Sequence, residues 1–140
     1  MLAEGREVFI IASHYGLTGQ ISFYLPDARP GLPDRPLVYF RSSDRPKNQF
    51  YFWPGYRQHH PGANAIFVDE VPPPKLKRDW VWEWLRGGKD LYLPDPPERD
   101  PVPPEVLAEF DSVSDLGVRD IVYRGQIVRR IQLFACRNLR

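Results

Sequence analysis

The chain has 140 residues, enough for one globular domain with a sizeable core, and 19 basic against 18 acidic side chains give a net charge of +1. No run of basic residues is longer than two, which argues against a nucleic-acid partner. No segment approaches the roughly 18 consecutive apolar residues that span a bilayer, and no apolar core follows a basic start, so we expect a soluble chain without a signal peptide. The 16 prolines and 14 % aromatic residues predict long, stiff loops.

The first predicted unit is a strand that runs directly into a helix. Residues 8–12 form an unbroken apolar run, β-branched at three of five positions, which is typical of a strand buried on both faces. Ser13 is the expected N-cap of a helix that begins at about His14 or Tyr15 and stops before the next proline. We expect Gly19 to let this helix approach the sheet closely. Three apolar residues one turn apart predict the buried stripe: Leu17, Ile21 and Leu25.

Ligands of open α/β sheets bind where strands end and helices begin, because free backbone amides and the positive end of the helix dipole lie there. His14, Tyr15 and Gly16 occupy such a junction and are candidate ligand-binding residues. The alternative is that Ser13 is only a cap and His14 only a solvated loop residue.

Two further strands are predicted. Residues 37–41 are short, apolar and aromatic, which suits a buried parallel strand after a strand–helix crossover. Residues 63–70 form the third strand, and it closes with the carboxylates of Asp69 and Glu70 at the same ligand edge. Asp69 is therefore a candidate ligand-binding residue. Neighbouring strand residues face opposite sides, however, and a solvated strand end is the alternative.

The segment between these strands supplies amide and aromatic side chains. Asn48, Gln49 and Trp53 are candidate ligand-binding residues, since a short helix would place Gln49 and Trp53 on one face. His59 and His60 are adjacent and lack the spacing of a metal site. We expect them to be solvated loop residues, and we expect no metal and no cofactor.

The tract 72–104 holds nine of the 16 prolines, so we predict one α/β domain over residues 1–140 with a proline- and tryptophan-rich insertion at about 71–104. Trp80, Trp82 and Trp84 form an aromatic patch within it. In a strand these indoles would share one face, and in a helix they would spread around it. We expect a lid over the core rather than an exposed platform for a sugar or a membrane, because large exposed apolar patches are rare.

The C-terminal third predicts a helix at 104–110, with Val106, Leu107 and Phe110 as its buried face. Residues 118–134 then read as two strands around a tight turn at 124–126, with Cys136 as a small buried hydrophobe. Together these elements predict an α/β fold: a small, mainly parallel three-stranded sheet flanked by helices and extended by a C-terminal antiparallel β-hairpin.

Three stretches carry a recognisable pattern. Residues 13–26 contain a His-Tyr-Gly turn and a helix ending in Phe-Tyr-Leu-Pro, residues 48–53 read Asn-Gln-Phe-Tyr-Phe-Trp, and residues 62–68 form a Gly-x-x-Ala-x-x-Val strand. With residues 110–113 and the hairpin, they resemble the soluble C-terminal region of bacterial membrane glycosyltransferases of family 39. That family is related to dolichyl-phosphate-mannose protein mannosyltransferases and to lipid A aminoarabinose transferase.

The resemblance covers about three fifths of the chain and leaves the tract 72–104 unmatched. It implies a non-catalytic accessory domain on the extracytoplasmic, periplasmic face of the bacterial inner membrane. The implied partners are the transmembrane portion of the parent enzyme, which carries the catalytic acids, and a lipid-linked sugar or glycan.

Two other functions remain open. Gly16 and Gly19 at a strand–helix junction fit a free-standing nucleotide- or phosphate-binding domain, although the earlier glycine of the dinucleotide fingerprint is replaced by His14. The tryptophan and proline tract fits a module that binds a protein or a membrane. No nucleophile–base–acid constellation suggests catalysis by the chain alone.

Overall fold

The computed structural model describes residues 2–3, 5–30, 34–42, 55–72, 77–89 and 102–140. A 3-10 turn, Pro26–Ala28, follows the first helix. The strands and helices run in this order: β1 (Leu2–Ala3), β2 (Arg6–Ala12), α1 (Tyr15–Tyr24), β3 (Val38–Phe40), α2 (Tyr56–His59), β4 (Asn64–Val71), α3 (Trp80–Leu85), α4 (Pro104–Glu109), β5 (Phe110–Tyr123) and β6 (Gln126–Leu139).

Five of the strands form one mixed sheet. β2 is parallel to β3 and to β4, β4 is antiparallel to β6, and β6 is antiparallel to β5; the short β1 pairs with the start of β2. The predicted α/β class and the C-terminal hairpin are confirmed. The expectation of a three-stranded, mainly parallel sheet is wrong, because β6 pairs with β4 over residues 130–136 and so adds two antiparallel strands to the same sheet.

Alternation along β4 divides the core into two layers. Ala65 and Phe67 face the larger layer, whereas Ile66 and Val68 face a smaller layer against α1, where Leu17 is buried. Cys136 is fully buried in the larger layer, as predicted. That layer also includes aromatic and aliphatic side chains from every major element on its side: Phe9, Ile11, Tyr39, Tyr56, Val106, Phe110 and Phe134.

Helix α1 lies on the sheet through two residues of the predicted stripe, with Leu17 buried and Ile21 packed against the smaller layer. The third residue, Leu25, is the C-cap beyond the end of the helix. Gly19 does not make the expected close approach. A Cβ atom placed on Gly19 would meet no other atom within 4 Å, so the helix would accept a side chain there.

The C-terminal elements differ from expectation at their borders. α4 ends at Glu109, and Phe110 is already the first residue of β5. Val106 and Phe110 are buried as predicted, but Leu107 is 46 % exposed, so its assignment to the buried face is wrong. The hairpin turn consists of Arg124 and Gly125, both with positive φ (50° and 77°), as a two-residue type I′ turn requires.

The described part of the tryptophan tract forms helix α3, and none of its residues is buried. Trp80, Trp82 and Trp84 are 40 %, 64 % and 62 % exposed, so the expectation that they form a lid over the core is wrong.

Candidate functional site

The carboxyl ends of the three parallel strands meet at one edge of the sheet. Backbone pairing continues just past the strands, because the Ser13 N–H donates to the Val68 carbonyl at 2.9 Å and the Arg41 N–H donates to the Ala12 carbonyl at 3.2 Å. The turn from β2 into α1 is therefore held against both neighbouring strands. We call this edge the strand-end site and define it by four residues: His14, Tyr15, Gly16 and Glu70.

His14 is the N-cap of α1. Its backbone is extended (φ −143°, ψ 158°), and its Nδ1 accepts a hydrogen bond from the Leu17 N–H at 3.3 Å. Nδ1 must be unprotonated to accept, so the proton of the neutral imidazole lies on Nε2. The prediction that Ser13 caps the helix is wrong, and so is the alternative that His14 is only a solvated loop residue.

Glu70 joins the end of β4 to this cap. The Nε2 of His14 lies 2.7 Å from one Glu70 carboxylate oxygen and donates to it, and Arg129 of β6 donates to the other at 3.1 Å. The side chains of His14, Glu70 and Arg129 remain 43 %, 31 % and 35 % exposed, so a ligand can reach all three. Arg129 stands between Ile127 and Ile131 at alternating positions of the strand, and a charged residue within this apolar series was the sequence signal of the ion pair.

Tyr15 and Gly16 open helix α1 beside the cap. Tyr15 is 63 % exposed, and its ring stands nearly perpendicular to the His14 imidazole, with centroids 6.4 Å apart. A Cβ atom on Gly16 would lie 3.4 Å from the imidazole, at the tight end of ordinary contact. The three residues predicted at the junction therefore lie together, with the tyrosine ring facing solvent.

The other candidate ligand-binding residues do not all lie at the strand-end site. Consecutive residues of β4 face opposite sides, and Glu70 faces the α1 layer with its register partner Ile131, so Asp69 projects to the other face. The carboxylate at His14 is thus Glu70 and not Asp69. Asn48, Gln49 and Trp53 lie outside the described residues, and their role stays a prediction.

His60 belongs to the core, so the expectation of a solvated loop histidine is wrong for this residue. It is 3 % exposed, its ring stacks on Phe9 with centroids 4.7 Å apart, and its Nε2 lies 3.0 Å from the Tyr39 hydroxyl. Nδ1 lies 3.4 Å from a Glu7 carboxylate oxygen without forming a hydrogen bond. Burial lowers the pKa of His60, against the opposing effect of Glu7, and burial raises the pKa of Tyr39 to about 12.

A second polar cluster surrounds Glu109, which sequence reasoning missed. This carboxylate is 3 % exposed, accepts hydrogen bonds from the Tyr56 hydroxyl and, at 2.6 Å, from the Ser42 hydroxyl, and lies 2.7 Å from the Arg57 guanidinium. Burial, followed by the hydrogen bond with Glu109, raises the pKa of Tyr56. With these partners the carboxylate connects α4, α2 and the segment that follows β3. Its position three residues after Val106, on the same helix face, was the available signal.

A polar pocket of about 350 Å³ lies at the opposite edge of the sheet, and sequence reasoning named none of its residues. Within it, Arg6 donates to Asn138 Oδ1 at 3.1 Å, and the Asn138 amide donates to Asp111. Hydrogen bonds from Arg140 and Asn138 lower the pKa of Asp111. We call it the opposite-edge pocket and define it by its lining: Arg6, Asn64, Asp111, Arg137 and Asn138.

The chemistry that the strand-end site offers is hydrogen bonding and ring stacking. The Glu70 carboxylate accepts from hydroxyl groups, and the exposed Tyr15 ring can cover the apolar face of a sugar. In the described ranges, no three His, Cys, Asp or Glu side chains are arranged to hold a metal ion.

Comparison of the chain with protein-family models, with curated proteins and with solved structures found no match. Among the helices of the described residues, none has the length and apolar character needed to cross a bilayer.

Proposed function

We propose that the chain is a non-catalytic accessory domain of a polyprenyl-phosphate-sugar-dependent membrane glycosyltransferase, located on the periplasmic face of the bacterial inner membrane. Its partners are the transmembrane portion of the parent enzyme and a glycan or lipid-linked sugar. Two of the stretches that resemble family 39 support the proposal, because residues 13–26 form the turn and helix of the pattern and residues 62–68 lead into the strand beside them.

The observation that carries the glycan part of the proposal is the contact between His14 and Glu70. It brings together two residues 56 positions apart and leaves a carboxylate and the Tyr15 ring accessible on one edge of the sheet. Carboxylates beside an exposed aromatic ring suit the hydroxyl groups and the apolar ring face of a sugar. The nucleotide alternative has less support, since Gly16 and Gly19 lie inside α1 rather than in a loop before it, and the Leu17 amide is taken by His14.

The first test is an immunoblot of separated membrane and soluble fractions of the source organism, with antibody raised against this chain. We expect a band several times heavier than 16.3 kDa in the membrane fraction. A soluble band near 16.3 kDa as the sole product would contradict the proposal.

The glycan contact is tested by Tyr15→Ala in the parent enzyme. Losing one ring that stacks on a sugar costs about 0.5–1.5 kcal/mol, so we expect the KM for the glycan substrate to rise about two- to tenfold while kcat is unchanged. Steady-state transfer assays measure both constants.

Tyr24→Ala is the matched control, because Tyr24 is 74 % exposed at the other end of the same helix. Equal effects of the two substitutions, or no effect of Tyr15→Ala, would show that the glycan does not bind at the strand-end site. Arg6→Ala tests the rival location, since a rise in KM from that change alone would move the ligand to the opposite-edge pocket.

A further inference from the structure

Helix α3 exposes its apolar side chains instead of packing them on the domain. Its five apolar residues are 40–64 % exposed, and none of its six residues is buried. Isolated helices shorter than about 12–15 residues are marginal in water, and most helices gain their stability by covering an apolar face. The described residues of this chain leave that face of α3 uncovered, so its stability calls for an external surface.

The two sides of helix α3 differ in polarity. At about 100° per residue, its apolar side chains fall on an arc of roughly 200° centred near Val81, and Glu83 lies on the opposite side. The three indoles are distributed along this arc, two at one end and Trp82 at the other. The helix is therefore amphipathic, with an unusually wide and ring-rich apolar side.

The end of α3 is fixed by local hydrogen bonds. The Gly88 N–H donates to the Glu83 carbonyl at 2.8 Å, and the Gly87 N–H donates to the Trp84 carbonyl at 3.0 Å. Gly87 has φ 76°. This pairing is the Schellman motif, which closes a helix without help from the rest of the fold. The indoles are thus presented by a helix whose end the local sequence defines.

Basic residues flank α3 on both sides. Residues 77–89 contain four basic side chains and two acidic ones, which give a net charge of +2, and Arg78 precedes the helix while Arg86 and Lys89 follow it. Tryptophan is enriched at the bilayer interface, and each Lys or Arg close to an anionic lipid surface adds about 1 kcal/mol of attraction. Interfacial helices combine these two features.

We propose that α3 is a membrane-contact element that lies in the interface of an anionic lipid bilayer. Its indoles insert at the level of the headgroups, and the cations of Arg78, Arg86 and Lys89 lie against lipid phosphates. Positive charge at both ends of a wide apolar arc favours a bilayer over a protein groove, which would contact one narrow stripe. The proposal stands apart from the glycosyltransferase assignment, because it concerns the isolated chain on lipid alone.

The test is co-sedimentation of the chain with phosphatidylcholine vesicles that contain or lack phosphatidylglycerol. We expect stronger binding to the anionic vesicles and weaker binding as salt is raised. Trp82→Ser and Trp84→Ser should each lower the partition coefficient about tenfold, the effect of removing one partly buried aromatic side chain. Arg86→Glu should abolish the preference for phosphatidylglycerol.

Phe23→Ser is the matched control, since Phe23 is 63 % exposed on a different helix, and it should leave partition unchanged. All variants should keep the thermal midpoint of the parent chain, because neither α3 nor Phe23 contributes to the core. Failure of the chain to sediment with anionic vesicles, or equal losses of vesicle binding in Phe23→Ser and Trp82→Ser, would overturn the proposal. A protein would then be the partner that covers α3. The immunoblot outcome is independent of this result.

Discussion

The His60 imidazole is buried between Phe9 and Tyr39, so its proton affinity differs between the folded and the unfolded chain. Loss of hydration lowers the pKa of His60, Glu7 at 3.4 Å partly restores it, and Arg35, which is bonded to Glu7 at 2.8 Å, lowers it further. In the unfolded chain the same imidazole titrates near its ordinary value of about 6.5.

We predict that the free energy of unfolding falls as the pH drops below about 6.5. In that window the unfolded chain takes up the His60 proton and the folded chain resists it, so stability declines by up to about 1.4 kcal/mol per pH unit until the lower folded pKa is reached. Urea unfolding at about pH 7.5 and about pH 5.5 measures the difference. His60→Gln should flatten this dependence. A slope that survives in His60→Gln would assign the effect to another group.

At the scale of single elements, two glycines differ in whether their backbone conformation and surroundings accept a side chain. Gly125 occupies the β5–β6 turn at φ 77°, where an L side chain is strained, whereas Gly19 lies in the middle of α1 with open space around its Cα. The first glycine is required by the turn, and the second weakens a helix for no gain in packing.

We predict that Gly125→Ala destabilises the chain by about 1–2 kcal/mol and that Gly19→Ala stabilises it by about 0.5–1 kcal/mol. The cause is left-handed strain in the turn and reduced unfolded-state entropy in the helix. Chemical denaturation of both variants, compared with the parent chain, measures the two effects. A gain in stability from Gly125→Ala would mean that the turn does not have the I′ geometry.

The elements that the sequence predicted well are those with a clear hydrophobic pattern, either a short apolar run or a regular alternation. β2, β3 and β4 follow from short apolar runs, and the hairpin follows from alternation on both sides of a glycine. The alternating indoles of α3 fit a strand or a helix equally, and the Schellman hydrogen bonds to Gly87 and Gly88 supply the helical end that periodicity did not reveal.

The properties of the whole molecule depend on contacts between residues far apart in the chain. β4 pairs with β2 on one side and with β6 on the other, so the sheet forms only when residues 64–68 meet residues 8–12 and residues 65–71 meet residues 130–136. The sequence predicts the strands and the hairpin but not the pairing of β6 with β4, which makes the hairpin part of the same mixed sheet.

The same reasoning explains the candidate site. His14 could be placed at a strand–helix junction from sequence, because the junction is local. Its partner Glu70 depends on which side of β4 faces α1, and the burial of His60 depends on rings supplied by β2 and β3. These contacts join residues far apart in the chain, and the local spacing of residues in a sequence contains no pattern that predicts them.

The location of the tryptophans also has a consequence for spectroscopy. Three of the four lie on α3, outside the sheet, whereas the described core rings belong to phenylalanine, tyrosine and His60. Because indole dominates intrinsic fluorescence, the emission of these three tryptophans should resemble that of solvated tryptophan and change little as the sheet melts. Far-ultraviolet circular dichroism would follow that melting. Exposed-tryptophan emission is therefore not evidence that a sample is denatured. A blue shift of this emission would indicate that the indoles of α3 had become covered.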